Sequence, residues 1–254
     1  MRKKDQVHKY YFDRPELFEE IHKGRFEKEP KFLMRIFRKY GKVSHILDVG
    51  CGTGSHLAKL RAQGLTGIGI DLNEHMIEFA RKQYPTIRFE RKDMRKLKYH
   101  AQFDAVMCLC STFAYNTTNE DVVASLVGFN KALKKGGLLI LDLFNAISLI
   151  QRKQFRTKIE ETYEKFALGC EITPKIDEDN QSLIETRSIY HTKDNKLVKS
   201  DVTEYRLFFP QEMRYFLETN GFKLLRVYGD YDLKRNTLKK SNDKIRLLVI
   251  AKKK

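Results

Sequence analysis

Residues 46–54 read Ile-Leu-Asp-Val-Gly-Cys-Gly-Thr-Gly. His45 to Val49 is short, apolar and β-branched, which predicts a buried strand. Gly50, Gly52 and Gly54 predict a tight turn, and Ser55 to Gln63 a helix that ends near Gly64. Such a turn lets a ligand approach the backbone, and the helix N-terminus offers it unpaired N–H groups. The spacing G-x-G-x-G differs from the G-x-G-x-x-G of a dinucleotide site. Asp48, two positions before the first glycine, would repel a pyrophosphate but not a cationic amino-acid ligand.

Downstream, strands and helices alternate. Thr66 to Ile70 reads as a second strand, and Asn73 caps a helix that runs to Tyr84. Thr86 to Glu90 and Phe103 to Leu109 are the third and fourth strands. Asn119 caps a helix to about Leu133, Lys135 to Gly137 is a turn, and Leu138 to Leu143 is the fifth strand. Helices between strands imply parallel βαβ units and a doubly wound sheet. Upstream, residues 5–40 read as helical, divided into two helices by Gly24 and Pro30. From Phe155 to Phe208 the apolar period becomes two, with a turn at Lys193 to Lys196, so an antiparallel hairpin set is inserted there. Pro210 to Asn220 is a helix, and Phe222 to Tyr228 and Ile245 to Ala251 are closing strands. The expected organisation is a helical lid over 1–41, a core of 42–145 and 207–254, and an antiparallel insertion over 146–206.

Three acids fall at the ends of three successive strands: Asp48, Asp71 and Asp93. An acid at the end of the second strand can hold both ribose hydroxyls of a nucleoside. Asp93 can accept from an adenine amino group, with Met94 against the ring. With ILDVGCGTG (46–54), GIDLNEHMIEFAR (69–81), KDMRKL (92–97), FDAVMCLCSTFAY (103–115) and ALKKGGLLILDLF (132–144), the chain resembles class I S-adenosylmethionine-dependent methyltransferases. FFPQEMRYFLETNGF (208–222) is similar to the last helix and strand of small-molecule members. Among these, the chain is similar to the subgroup that contains aminosugar N,N-dimethyltransferases and glycine/sarcosine-type enzymes.

The resemblance implies an α/β, Rossmann-like, doubly wound seven-stranded sheet, with S-adenosylmethionine as cofactor and S-adenosylhomocysteine as product. It implies that Gly50, Cys51 and Gly52 pass under the methionine moiety and that Asp71 binds ribose. Leu72 and Met76 would lie beside the adenosine, Asp93 and Met94 would hold adenine, and Cys110 would line the sulfonium pocket. Tyr10 or Tyr11 would close over the methionine end. The enzyme must align nucleophile, carbon and sulfur and free the nucleophile's lone pair. Tyr115, after the fourth strand, is the first candidate for a polar group on the substrate side. His191 and Arg187 on the insertion are further candidates, with an exposed or solvated strand face as their alternative.

No [DN]-P-P-[YFW] motif follows the fourth strand and no Pro-Cys pair occurs there, which argues against planar amide nitrogens and cytosine C5 as targets. The sequence has 254 residues, 49 Lys and Arg against 33 Asp and Glu, and a net charge of +16. That charge permits nucleic acid or an acidic surface as partner. The C-terminal cluster Lys234, Arg235, Lys239, Lys240, Lys244 and Arg246 contains no aromatic stacking platform. Cys51, Cys108, Cys110 and Cys170 form no Cys-x-x-Cys pair, so no metal site and a reduced, cytoplasmic setting are expected. There is no membrane-length apolar run and no secretory leader pattern. The expectation is methyl transfer to a nitrogen, less so an oxygen, of a small molecule, by a monomer or homodimer. The competing readings are an RNA or protein methyltransferase that uses the basic surface, and a non-catalytic S-adenosylmethionine-binding regulator.

Overall fold

The structure is a computed structural model and describes residues 9–151, 159–234 and 246–254. β1 (His45–Val49), β2 (Thr66–Asp71), β3 (Arg88–Arg91), β4 (Phe103–Cys108) and β5 (Leu133–Phe144) alternate with α3 (Ser55–Arg61), α4 (Glu74–Gln83) and α5 (Asn119–Ala132). A single 3₁₀ turn at Met94–Lys96 joins β3 to β4. α6 (Ala146–Gln151) follows β5, and α7 (Pro210–Thr219) leads into β10 (Phe222–Gly229) and β11 (Arg246–Lys253). These strands form one sheet in the order β10-β11-β5-β4-β1-β2-β3. Only β11 runs antiparallel to its neighbours. One buried cluster packs α5 and α7 on one face of the sheet; a second packs the C-terminal half of α2 (Pro15–Tyr40), α3 and α4 on the other.

A second sheet, order β6-β7-β8-β9, is the inserted antiparallel unit: β6 (Ile159–Tyr163), β7 (Leu168–Asp177), β8 (Ser182–His191) and β9 (Leu197–Arg206). Its inward face packs Leu168, Cys170, Ile172 and Ile189 against Tyr10, Tyr11 and Leu17. The insertion therefore stands over the C-terminal ends of the parallel strands, held by the N-terminal helices. The start of the insertion (152–158), residues 1–8, and Arg235, Lys239, Lys240 and Lys244 of the basic cluster lie outside the described residues.

Three local expectations are corrected. The N-terminal division falls not at Gly24 or Pro30 but between α1 (Lys9–Phe12) and α2, with Pro15 at the first helical position. An interior proline costs a helix ~3 kcal/mol and a glycine ~1 kcal/mol. Burial of Phe26, Phe32, Leu33, Ile36 and Phe37 along one stripe outweighs that cost. Thr118, not Asn119, caps α5, its side chain accepting from the Asp121 N–H at 3.2 Å. Lys135 to Gly137 is not a turn outside the strand: β5 already begins at Leu133, and Gly136 at φ +74° stands beside the register shift between β4 and β5. Asn73 caps α4 as expected, accepting from the Met76 N–H at 3.1 Å.

Candidate active site

A cavity of about 620 Å³ lies where β1, β2 and β4 end, between the glycine turn, α2 and the insertion. Its floor is mainly backbone. Gly50 and Gly52 take φ of +68° and +53°, the left-handed region that other residues enter at a cost of ~1–2 kcal/mol. A Cβ at Gly50 would stand 2.3 Å from Thr112 Cγ2, and one at Gly52 would stand 3.4 Å from the Phe18 ring. The turn is therefore squeezed between the loop after β4 and the helix above.

Asp48, Gly50, Cys51, Gly52, Asp71, Leu72, Asp93, Met94, Cys110, Tyr11, Tyr115 and Arg187 all line this cavity. Asp71 is half-buried and accepts from the N–H groups of Gly52 and Asn73, both at 2.9 Å. Burial raises its pKa, against those N–H groups. Asp48 is 2% exposed, and its Oδ2 meets no donor among the described residues. Burial pushes its carboxyl up to about 7; His56 works against the shift and the charge of Asp71 adds to it. Asp93 receives the Arg95 N–H at 2.9 Å and the Arg95 guanidinium on both oxygens. Burial opposes its ionisation, but Arg95 prevails and holds its pKa below the usual carboxylate range. Burial pushes the Cys110 thiol up to about 12.

Two expected residues fall elsewhere. Met76 is fully buried in the core on the α4 side and lines no part of the cavity, because its position on α4 faces the sheet. His191 is exposed at the end of β8, where its N–H closes the hairpin on the Lys196 carbonyl at 3.0 Å. Period-two alternation puts it on the face of Ile189 and Arg187, but the strand runs out past the cavity before reaching it. Arg187 does the opposite of the solvated-strand alternative: its guanidinium lies 5.4 Å from the Tyr11 ring centroid, inside the cavity wall. Tyr115 packs against Tyr205 at 5.1 Å between centroids. Burial drives its phenol well above its ordinary pKa, which keeps the hydroxyl protonated near neutral pH.

The roof contains polar residues that sequence reasoning missed. Phe18, His22, Arg25 and Glu29 recur at helical spacing on one stripe of α2. His22 stacks on Phe18 at 4.1 Å, and its Nδ1 donates to the Phe18 carbonyl at 2.9 Å. That bond fixes the tautomer and leaves Nε2 as an acceptor. Burial holds the imidazole down at about 4, against the Phe18 carbonyl. Arg25 bridges Glu29 at 2.6 Å and Asp142 at 3.0 Å. Fully buried Asp142 also accepts from the Cys110 N–H, Tyr231 and Arg246 at 2.7–2.9 Å. Glu19 accepts from Thr53 and Ser55 just past the glycine turn. The available signal was polar residues breaking an apolar helical stripe at 22, 25 and 29.

Glu29, His56 and Cys110 bring three donor atoms within 4.8 Å of one another. His56 and Arg25 already donate to the two Glu29 oxygens, at 2.8 and 2.6 Å. Burial opposes the charge, yet these bonds hold Glu29 at about 2. Arg25 and His56 thus occupy both Glu29 oxygens.

The orphaned Asp48 oxygen asks for a cationic donor, and the glycine turn leaves room for a ligand chain beside it. The residues present fit S-adenosylmethionine: an ammonium for Asp48, ribose hydroxyls for Asp71, and Met94 and Leu72 as flanking surfaces. Known proteins agree. Residues 46–137 match the family described as a methyltransferase domain. The chain is 33% identical over 101 residues to a dTDP-3-amino-3,4,6-trideoxy-alpha-D-glucopyranose N,N-dimethyltransferase of Streptomyces venezuelae, spanning 40% of this chain and 43% of that protein. It is 28% identical over 218 residues to a glycine/sarcosine N-methyltransferase of Aphanothece halophytica, spanning 82% and 77%. The fold matches that of an S-adenosylmethionine-bound amino pentose methyltransferase from Micromonospora echinaspora, TM-score 0.73, 21% identity, over 94% of this chain and 97% of that one. The cofactor is S-adenosylmethionine, and the chain resembles small-molecule methyltransferases of class I.

Proposed function

We propose that this S-adenosylmethionine-dependent methyltransferase transfers the methyl group to a nitrogen of a small molecule held under the insertion. The observation that carries the reading is the double cover of the cavity, by α2 on one side and by Glu185, Arg187 and Tyr205 of the inserted sheet on the other. Such a roof admits a small molecule and shuts water out. The two sequence relatives described above are N-methyltransferases, which supports nitrogen over oxygen.

S-adenosylmethionine, when bound, supplies an electrophilic methyl group. The chain's residues then orient the acceptor and keep its lone pair free. In this reading Asp48 and Asp71 fix the cofactor, and Tyr115 donates a hydrogen bond on the substrate side. His22, which lines the cavity and whose Nε2 is left as an acceptor by the Nδ1 bond to Phe18, accepts an N–H of the incoming amine.

The test is incubation with methyl-labelled S-adenosylmethionine and cell extract, with products separated by size and nuclease sensitivity. Label in a low-mass, nuclease-resistant fraction is expected. Label in RNA or protein would overturn the small-molecule reading and give the net charge of +16 a role in docking.

A further inference from the structure

The C-terminal half of α2 has two faces of opposite character. Phe32, Leu33, Ile36 and Phe37 are buried against the sheet. On the other face, every exposed side chain from residue 28 to residue 42 is a cation: Lys28, Lys31, Arg35, Arg38, Lys39 and Lys42. Steps of three and four residues put them on one stripe, about 15 Å long from Lys28 to Arg38. Like charges at such steps destabilise a helix by ~0.2–0.5 kcal/mol per pair. The helix dipole favours cations only in the last turn, at Arg38 and Lys39. Lys28, Lys31, Arg35, Arg38 and Lys42 have no ion-pair partner among the described residues, and the neighbouring acid, Glu27, is bonded to Lys59 at 2.7 Å.

The stripe ends in a cluster of donors. Lys39 Nζ donates to the Tyr228 phenol at 3.3 Å, the Tyr228 and Tyr40 oxygens lie 2.7 Å apart, and Arg226 of β10 bonds Tyr40. One phenol proton is spent between the two tyrosines, and the other has no acceptor among the described residues. An ammonium, a guanidinium and a phenol O–H thus meet with no carboxylate bonded to any of them among the described residues. Lys39 and Arg226 are exposed and Tyr40 is half-buried, so the cluster opens to the surface. Neither the stripe nor the cluster lines the cavity.

We propose that this face docks duplex RNA through its phosphates, with Lys39, Tyr40 and Arg226 seating one of them. The RNA is a docking partner and not the methyl acceptor, so this goes beyond the small-molecule reading and does not depend on it. A narrow line of cations complements a line of phosphates better than a plane of lipid headgroups. A helix that lies in a membrane sinks its apolar face into it, whereas the apolar face of α2 is spent on the sheet. Single strands need aromatic platforms, and the stripe has no exposed aromatic residue. Duplex RNA is gripped by shape and phosphate. Its A-form strands space their phosphates more closely than B-form DNA does, which suits the short steps between these cations.

The test is fluorescence anisotropy of the full chain with a mixed-sequence RNA duplex of about 16 base pairs, read across a salt series. Wild type binds, and its affinity falls steeply with salt. The triple variant Lys31→Gln, Arg35→Gln, Arg38→Gln weakens binding about tenfold or more and flattens the logarithmic salt slope by about two to three. Lys39→Gln with Arg226→Gln, on two separate elements, repeats the loss with a smaller change in charge. Lys193→Gln, Lys196→Gln, Lys199→Gln on the exposed hairpin of the insertion removes as much charge as the stripe variant, and changes affinity less than about threefold. Calorimetry with S-adenosylhomocysteine is unchanged in every variant, which ties the losses to the surface. The inference is overturned if wild type does not bind the duplex, or if the hairpin variant loses as much as the stripe variant, since net charge alone then does the binding. A B-form DNA duplex, or vesicles of phosphatidylserine and phosphatidylcholine, that bind as tightly and weaken with the same stripe variant overturn the assignment to RNA.

Discussion

The floor and the roof of the cavity place polar groups by different means. The floor uses backbone: three glycines with positive φ, strand ends, and acids whose positions follow from β1, β2 and β3. The roof uses long side chains on regular elements: His22 and Arg25 on α2, the latter backed by Glu29, and Glu185 and Arg187 on β8. A floor of this kind is dictated by short motifs and suits one cofactor. A roof built from rotamers on a helix and a strand can change its chemistry by single substitutions without disturbing the fold.

The largest expected effect tests whether the walls are independent. Asp142 belongs to floor strand β5 but holds Arg25 of the roof and Arg246 of β11. Asp142→Ala takes from Arg246 its carboxylate partner and leaves Arg25 only Glu29, and should cost about 3–5 kcal/mol in urea unfolding. A loss under ~1 kcal/mol would show that the walls are energetically separate. Next, Asp71→Ala alters only the floor. It should weaken S-adenosylmethionine binding by roughly tenfold or more, ~1.4 kcal/mol, in calorimetry, while unfolding of the free protein changes little.

The third sharpens the floor itself. With its carboxyl at about 7, Asp48 is mostly protonated below that pH in the free protein, and an adjacent ammonium requires it ionised. S-adenosylhomocysteine affinity should therefore rise as pH increases from about 6 to about 8, with one proton released on binding. Asp48→Asn should flatten the profile. The sign for stability is the reverse. The folded value lies above the unfolded one, so this group's contribution is full below about pH 4 and is lost as pH rises through about 7. The smallest effect is expected on the outer part of the roof. His191→Ala should leave stability within ±0.5 kcal/mol and kcat/KM within about twofold, since the residue lines no part of the cavity.

The same contrast governs what could be read beforehand. Strand ends, glycine turns and the Asn73 cap have local causes, so β1 to β5 and the acids at their ends were legible from the residues, whereas Tyr11, Leu72 and Cys110 were expected only through the family resemblance, and Arg187 was placed with its alternative reversed. The continuity of α2 was not legible, because Gly24 and Pro30 are local signals overridden by distant packing. Arg25 and Asp142 are 117 positions apart, and no periodicity announces that they meet. Met76 was misassigned because a motif specifies a segment but not which side of its helix faces the ligand. His191 shares a strand face with Arg187, and two further steps of the alternation carried it out of reach.

Strand β11 has a consequence for the making of the molecule. It is an inner strand, paired to β10 on one side and to β5 on the other, yet its residues are synthesised more than a hundred positions after those of β5. Until it emerges, the edge of β5 stands bare and Arg246 cannot reach Asp142. Long sequence separation of this kind slows folding and exposes strand edges while it lasts. The nascent chain must therefore carry an open apolar edge while the roughly one hundred residues between β5 and β11 are made, and truncation before residue 246 should leave it dependent on chaperones or prone to aggregation.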